Sequence, residues 1–223
     1  MSKHVRIIPA ILTDGPKVLE SRVRQAETFA RYVQFDIMDG NFVPTRSVTC
    51  EDIAALNTKL MWEAHLMVTD PGSYLDCFKR AGAGKIVFHY EASSHPNEVI
   101  SAARSFGLKV GLALNPETLV SSILPLCSEV DSVLLLSVHP GFYGQGFLPE
   151  VLDKVTELRR MQPLLEIGID GGAKENNIIR IASSGVDAIY VGSAIFLQPA
   201  PGESYRHLQS LVDSASSEGI KEA

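Results

Sequence analysis

The sequence has little cysteine, no long apolar segment and no cluster of basic residues. Its three cysteines, Cys50, Cys77 and Cys127, are widely spaced and form no C-x-x-C motif, so neither a disulfide framework nor a zinc cluster is indicated and a reducing compartment is expected. No run approaches the roughly 18 apolar residues of a membrane span, and no small-residue cleavage site follows the N-terminal MSKHVRIIPAIL. These absences predict a soluble, cytoplasmic protein with no membrane partner.

The charge and length narrow the class of protein further. The formal net charge is −6, with Lys and Arg scattered along the chain, which argues against nucleic acid as a partner. An anionic substrate stays compatible with this charge, because a local site can bind phosphate through backbone amides. The 223 residues suffice for one large core, and no Pro/Ser-rich linker divides them. We therefore expect a single domain over residues 1–223, with a flexible C-terminal tail from about residue 216.

Short apolar runs alternate with stretches of helical periodicity along the whole chain. Eight such runs occupy residues 5–12, 32–38, 62–68, 85–90, 109–115, 132–138, 164–170 and 188–193. The helix candidates between them include KVLESRVRQAETFARY, GSYLDCFKRAGA, PNEVISAARSFG, PEVLDKVTELRRM and KENNIIRIASSGV. Eight alternating units predict parallel strands with right-handed crossovers, the α/β architecture of a (β/α)8 TIM barrel. A doubly wound sheet is less favoured, because no glycine-rich fingerprint follows the first strand.

Polar side chains stand late in several of these strands, at the end of the barrel where such folds place their sites. They are Gln34, Asp36, His65, His89, Asn115 and Asp170. Asp36 and Asp170 come from roughly opposite sides of the barrel, so we expect them to face each other across a substrate rather than touch. Such a pair inverts a carbon centre when one carboxylate removes a proton and the other returns one to the opposite face. The resulting enediolate needs an electrophile, which a divalent cation held by Asp, His and Asp would supply.

Each of these features also has a purely structural interpretation. A lone Asp or His at a strand end is more often a cap or a loop anchor than a catalyst. The glycines of SVHPGFYGQGF, IDGG and VGSAIF are common turn formers, although three such loops after strands 6 to 8 favour a phosphate site. A Schiff-base aldolase is disfavoured, because Lys85 and Lys109 stand at the starts of their strands.

Seven motifs occur in a characteristic order: DIMDGNFVP, HLMV, FHYEA, GLALNPET, SVHPGFYGQGF, IDGG and GSAIF. Together they resemble the ribulose-phosphate 3-epimerase family over nearly the whole chain. The resemblance implies a homo-oligomeric enzyme that takes a phosphorylated ketose and interconverts D-ribulose 5-phosphate and D-xylulose 5-phosphate through a metal-stabilised enediolate. It makes Asp36 and Asp170 the acid/base groups and, with His65, ligands of a divalent Zn, Mn, Fe or Mg ion.

The resemblance also assigns residues around the reacting centre. Met38 and Met67 are expected to cap it, and the expected phosphate-binding positions are Gly141, Phe142, Tyr143, Gly144, Gly171, Gly172, Gly192 and Ser193. The chain departs from the family pattern at Ala10, Gln34, Leu136 and Tyr143, where the family has Ser, His, Met and Gly. Gln34 stands where a histidine ligates the metal, which predicts weaker binding or a preference for Mn or Mg. Two alternatives stay open: an epimerase of another ketose phosphate, and a phosphosugar-binding paralogue that has lost catalysis.

Overall fold

The computed structural model describes residues 4–141 and 144–218 and forms a closed barrel of parallel strands. Each strand pairs with its neighbours in chain order, and the first pairs with the last. The strands are β1 (Arg6–Ile11), β2 (Tyr32–Met38), β3 (Met61–Met67), β4 (Lys85–His89), β5 (Lys109–Leu114), β6 (Ser132–Leu136), β7 (Glu166–Asp170) and β8 (Ala188–Val191). Seven of the predicted runs contain their strand entirely, and β3 begins at Met61, one residue before its predicted run of 62–68, so the (β/α)8 prediction is confirmed.

The connections carry the helices α1 (Pro16–Ala26), α2 (Cys50–Ala54), α3 (Leu75–Ala81), α4 (Pro96–Ser105), α5 (Val151–Met161), α6 (Ile178–Ala182), α7 (Ser193–Phe196) and α8 (Pro201–Glu218). Between β5 and β6 the chain instead makes two 3₁₀ turns, Val120–Ser122 and Leu124–Leu126. The predicted tail begins near the end of α8, and its residues 219–223 lie outside the described residues. Over the described chain, each helix is too short or too polar to cross a membrane.

Strand alternation sends successive side chains to opposite faces of the barrel wall. Outward-facing Phe35, Ile86 and Leu112 are fully buried beneath the helices, whose Leu19 and Phe78 are equally buried. Burying a side chain of this size contributes about 1.5–3 kcal/mol each. This outer layer holds the helices on the barrel and fixes the orientation of the inward-facing residues.

The barrel interior is apolar in its middle and charged towards the amino-terminal end. The middle consists of Ile8, Ala10, Val87, Ala113, Leu134, Leu136, Ala188 and Tyr190. Near the strand starts, the buried Glu63 carboxylate lies 3.0 Å from Lys85 Nζ and accepts a hydrogen bond from the Tyr32 hydroxyl at 2.8 Å. Lys85 is thus committed to an ion pair at the end of the barrel opposite the predicted site, as its position in the sequence indicates.

A disulfide joins Cys50 in α2 to Cys77 in α3, with their Cα atoms 6.2 Å apart. The prediction that the cysteines form no disulfide is therefore wrong for this pair, although Cys127 is free and buried. The 27-residue separation gave no signal, because the contact arises where α2 and α3 pack side by side on neighbouring strands. Disulfides persist in oxidising surroundings, so the reducing compartment inferred from cysteine usage loses its support.

Candidate active site

The strand register brings the predicted polar residues together at the carboxyl end of the barrel. Asp36 of β2 pairs laterally with His65 of β3, and Met38 pairs with Met67 one inward position further along. On the other side, Asp170 of β7 lies between Leu136 of β6 and Tyr190 of β8. Asp36, His65 and Asp170, together with both methionines, line one pocket.

Two nitrogen atoms connect the two carboxylates. The Gln34 Nε2 donates to Asp36 Oδ1 at 3.0 Å and to Asp170 Oδ2 at 2.9 Å. The His65 Nδ1 lies 3.2 Å from Asp36 Oδ1 and 3.5 Å from Asp170 Oδ2. Carboxylate oxygens only accept hydrogen bonds, so the amide nitrogen of Gln34 rather than its oxygen belongs between them. Asp36 and Asp170 therefore share two donors, Gln34 Nε2 and His65 Nδ1, and the Gln34 amide lies between the two carboxylates.

Burial and charge set the protonation of this cluster. Burial raises the pKa of Asp36 to about 6, helped by the Asp170 charge and opposed by the hydrogen bonds from His65 and Gln34. Burial works to lower the pKa of His65, but hydrogen bonds to Asp170 and Asp36 raise it to about 9. In the metal-free site His65 is consequently an imidazolium that balances part of the carboxylate charge.

A divalent cation is a second way to balance that charge. Asp36, His65 and Asp170 each offer a ligand atom, and these atoms lie within 4.8 Å of one another. Two carboxylate oxygens and an imidazole nitrogen are suitable donors for Zn, Mn, Fe or Mg. Asp36, His65 and Asp170 thus fit a metal ion. Gln34 does not join this set, because its amide turns towards the carboxylates its nitrogen, which is not a ligand atom.

The loop after β2 packs against Met38 and Met67 and is anchored by Asp39. The Asp39 carboxylate accepts hydrogen bonds from the backbone N–H groups of Asn41, Phe42 and Thr69, each at 2.8 Å. Burial opposes ionisation of Asp39, but these hydrogen bonds hold its pKa down at about 2. Met38 and Met67 pack with Val43 of this loop into a small apolar cluster. The methionines therefore form an apolar edge of the pocket, and their capping of the reacting centre stays a prediction.

The glycine loops line the opposite wall of the same pocket, with Gly141, Gly144, Gly171, Gly172, Gly192 and Ser193 all contributing. Gly171 and Gly172 have φ values of +113° and +66°. A Cβ on Gly172 would stand 2.7 Å from the backbone nitrogen of Phe147. Phe142 and Tyr143, the other two predicted positions of this wall, lie outside the described residues.

Sequence reasoning missed two residues of the site. The Ser137 hydroxyl donates to the carbonyl oxygens of Asp170 at 3.0 Å and Gly171 at 2.7 Å, so it fixes the turn that carries the β7 carboxylate. Tyr190 lines the pocket from β8. Gly168 makes room for the Tyr190 ring, since a Cβ there would lie 2.7 Å from it. Ser137 follows β6 directly, so its position was available as a signal, whereas the inward packing of Tyr190 required the barrel register.

The fold and site define a (β/α)8 barrel enzyme with two carboxylates, an imidazole and a glycine-lined pocket at the carboxyl ends of its strands. Residues 6–196 match the model of the ribulose-phosphate 3 epimerase family. The chain belongs to that family.

Curated relatives and solved structures agree with this assignment. The chain is 36% identical to the cytoplasmic isoform of ribulose-phosphate 3-epimerase from Oryza sativa subsp. japonica, covering 94% of this chain and 95% of that protein. It is 36% identical to ribulose-phosphate 3-epimerase from Escherichia coli K12, covering 88% and 91%. A 3-hexulose-6-phosphate synthase from Salmonella typhimurium superposes with a TM-score of 0.74 at 15% identity, covering 95% of this chain and 100% of that one. The last likeness shows the shared fold alone.

Proposed function

We propose that this chain catalyses C3 epimerisation between D-ribulose 5-phosphate and D-xylulose 5-phosphate. The observation that carries the proposal is the convergence of Asp36 and Asp170, from β2 and β7, on one pocket beside the glycine loops. Curated relatives at 35–36% identity are named ribulose-phosphate 3-epimerase. Family membership and the opposed carboxylates thus support the same reaction.

In this proposal the two carboxylates exchange roles between the directions of the reaction. One removes the C3 proton from one face of the sugar, and the other delivers a proton to the opposite face, which inverts the centre. In the metal-free site, burial raises the pKa of Asp36 to about 6, so this carboxylate is a stronger base there than an ordinary one. His65 and Gln34 hold both carboxylates in position through the contacts described above.

Asp36, His65 and Asp170 would hold the divalent metal ion, whose identity among Zn, Mn, Fe and Mg stays a prediction. When bound, the cation supplies positive charge that stabilises the negative oxygens of the enediolate. Gln34 would become a fourth ligand if its amide turned its oxygen towards this position. Met38 and Met67, both almost fully buried, exclude water from the reacting carbon.

The substrate phosphate would bind along the glycine wall. Gly171 and Gly172 line the pocket in positive-φ conformations, and backbone N–H groups of such glycine loops bind anions. Gly141, Gly144, Gly192 and Ser193 extend this wall around the same pocket. Phe142 and Tyr143 keep their predicted role in substrate binding on the resemblance alone.

A second candidate is an epimerase that acts on another ketose phosphate. The apolar side chains of Ala10 and Leu136 line the pocket where the family pattern has Ser and Met, so the contacts to the sugar hydroxyls differ. A panel of ribulose, allulose and other ketose phosphates, compared by kcat/KM, separates the two candidates. Binding of ribulose 5-phosphate without turnover of any member would favour the paralogue without catalysis.

The direct test is incubation with ribulose 5-phosphate in D2O. The wild type should form xylulose 5-phosphate and incorporate deuterium at C3. Asp36→Asn and Asp170→Asn should each lose epimerisation by about 10²–10⁴-fold. Each variant should still exchange the C3 proton of the one epimer that its remaining carboxylate serves. Absence of exchange in the wild type with every divalent metal tried would refute the proposal.

Several further expectations from the sequence stay predictions. Homo-oligomerisation, cytoplasmic localisation and the absence of a nucleic-acid partner rest on the resemblance, composition and charge. The division into one domain with a tail from about residue 216 is likewise retained as a proposal. Light scattering of the purified protein would decide the oligomeric state.

A further inference from the structure

A second buried histidine, His89, lies directly behind His65. The two imidazole rings meet edge to edge through their Nε2 atoms, with their centroids 5.1 Å apart and their planes 19° from parallel. Their Nε2 atoms are 2.9 Å apart, and both residues are 0% exposed. Two nitrogen atoms at this distance in a dry environment need one proton between them, so one ring donates and the other accepts.

The Glu91 carboxylate favours one of the two arrangements through its charge. The Nδ1 of His89 lies 3.4 Å from Glu91 Oε2, an ion-pair distance without a hydrogen bond among the described residues. The Glu91 carboxylate is fixed by the backbone N–H of Asn115 at 2.8 Å and by the Thr118 hydroxyl. A carboxylate beside Nδ1 favours the tautomer of His89 with its proton on Nδ1, which leaves Nε2 as the acceptor. His65 therefore carries its proton on Nε2 and donates it to His89.

Packing keeps His89 in this orientation. The centroid of the Phe42 ring, in the loop after β2, lies 4.9 Å from the centroid of the His89 ring. The same His89 ring also contacts His65. With its Nε2 engaged, His65 directs its Nδ1 at Asp36 and Asp170, 3.2 Å and 3.5 Å away. The arrangement thus runs from Glu91 through two imidazoles to the acid/base pair.

We propose that His89 and Glu91 are positioning residues that hold His65 with Nε2 protonated and Nδ1 available as a metal ligand. The inference rests on the proposed function, because it takes His65 to be a ligand. Neither positioning residue contacts the expected substrate position. They act through His65, so that a cation meets a ring that already points Nδ1 at the site and that keeps its proton on Nε2 once Nδ1 is deprotonated.

The test measures the affinity of the full chain for Mn²⁺ by isothermal titration calorimetry. His89→Leu, which cannot accept the proton of His65 Nε2, should weaken binding by about 10–100-fold. His89→Gln should restore most of the affinity, because its amide oxygen can accept that proton. His207→Gln is the matched control, since His207 forms an exposed pair with Glu175 at 3.1 Å, and it should bind like the wild type.

If His89 had a purely structural role, the Mn²⁺ affinity of each variant would follow its melting temperature. If His89 is a positioning residue, His89→Gln recovers the Mn²⁺ affinity whatever its melting temperature. Equal affinities of the Leu and Gln variants would overturn the proposal. If His89→Leu does not fold, Glu91→Gln provides the second test, with a loss of about tenfold expected and an unchanged affinity overturning the proposal.

Failure of this inference is distinguishable from failure of the proposed function. A wild type that does not bind Mn²⁺ overturns this inference, even where C3 exchange occurs. If the Mn²⁺ affinities of the wild type, His89→Gln and His89→Leu fall in the expected order but the wild type shows no C3 exchange, the inference is supported and the proposed function is refuted.

Discussion

Replacement of Gln34 by histidine tests how this chain balances the charge of its two carboxylates. The Gln34 amide nitrogen donates to Asp36 at 3.0 Å and to Asp170 at 2.9 Å. A cation that binds these oxygens has to displace both hydrogen bonds. Hydrogen bonds to charged groups contribute about 1.5–3 kcal/mol each, and because both share one NH2 group, the lower total of about 3 kcal/mol is the better estimate.

A free energy of about 3 kcal/mol corresponds to about 100-fold in affinity. In Gln34→His, an imidazole with a lone pair replaces the competing donor, so Zn²⁺ and Mn²⁺ should bind at least about 100-fold more tightly than in the wild type. The measurement is calorimetric titration of protein stripped with EDTA, accompanied by the epimerase rate at saturating metal.

Gln34→Leu distinguishes the two possible roles of the amide. This variant removes the donor without adding a ligand, and it also removes Gln34 Oε1, a buried oxygen without a hydrogen-bond partner among the described residues. If the amide competes with the cation, Gln34→Leu should bind metal more tightly than the wild type. If the amide oxygen is a ligand, Gln34→Leu should bind metal more weakly than the wild type. An unchanged affinity in Gln34→His would refute the reasoning.

Three further predictions concern stability and the phosphate wall. Replacing Cys50 and Cys77 by Ser should lower the free energy of urea unfolding by about 3.5 kcal/mol, and an unchanged value would show that the bridge does not contribute in solution. In EDTA-treated protein, the pKa of His65 is raised to about 9. The stabilisation that protonated His65 gives the folded state is therefore complete below pH 6.5 and is lost as the pH rises through 9. The free energy of urea unfolding should fall by at most about 3 kcal/mol over this range, and an equal fall in His65→Gln would contradict the assignment. Gly172→Ala should lower stability by about 1–3 kcal/mol and weaken competitive inhibition by inorganic phosphate, because the new Cβ meets the Phe147 backbone at 2.7 Å. Gly146→Ala, with open space around its Cβ, should resemble the wild type in both measurements.

The strands were predictable because each is a buried apolar run bounded by polar turns, and a buried strand is recognised by that pattern alone. The carboxyl-end position of Asp36, His65 and Asp170 followed from the same pattern, since the architecture fixes which end of a strand carries the site. The disulfide between Cys50 and Cys77 was not predictable, because it depends on how two helices pack on neighbouring strands.

The contacts within the site were also beyond sequence reasoning. Gln34, Asp36 and Met38 were expected to share a face, but the pattern does not show that the amide of Gln34 reaches across to Asp170 on β7. The contact between His65 Nε2 and His89 Nε2 likewise depends on the register of β3 against β4 and on the side-chain angles. Patterns along one strand predict which residues point inward, whereas contacts between strands require the closed barrel.

Gln34 changes what the two carboxylates require from their surroundings. In this site the amide N–H groups of Gln34 and the imidazolium of His65 already satisfy Asp36 and Asp170. A cation would therefore replace existing hydrogen bonds and release a proton from His65, rather than fill an uncompensated cluster of negative charge. A histidine at position 34 has one ring nitrogen that can bind a metal, whereas an amide has to turn its oxygen inward and give up both hydrogen bonds. The departure at this position thus affects the free energy of metal binding while leaving the acid/base pair in place.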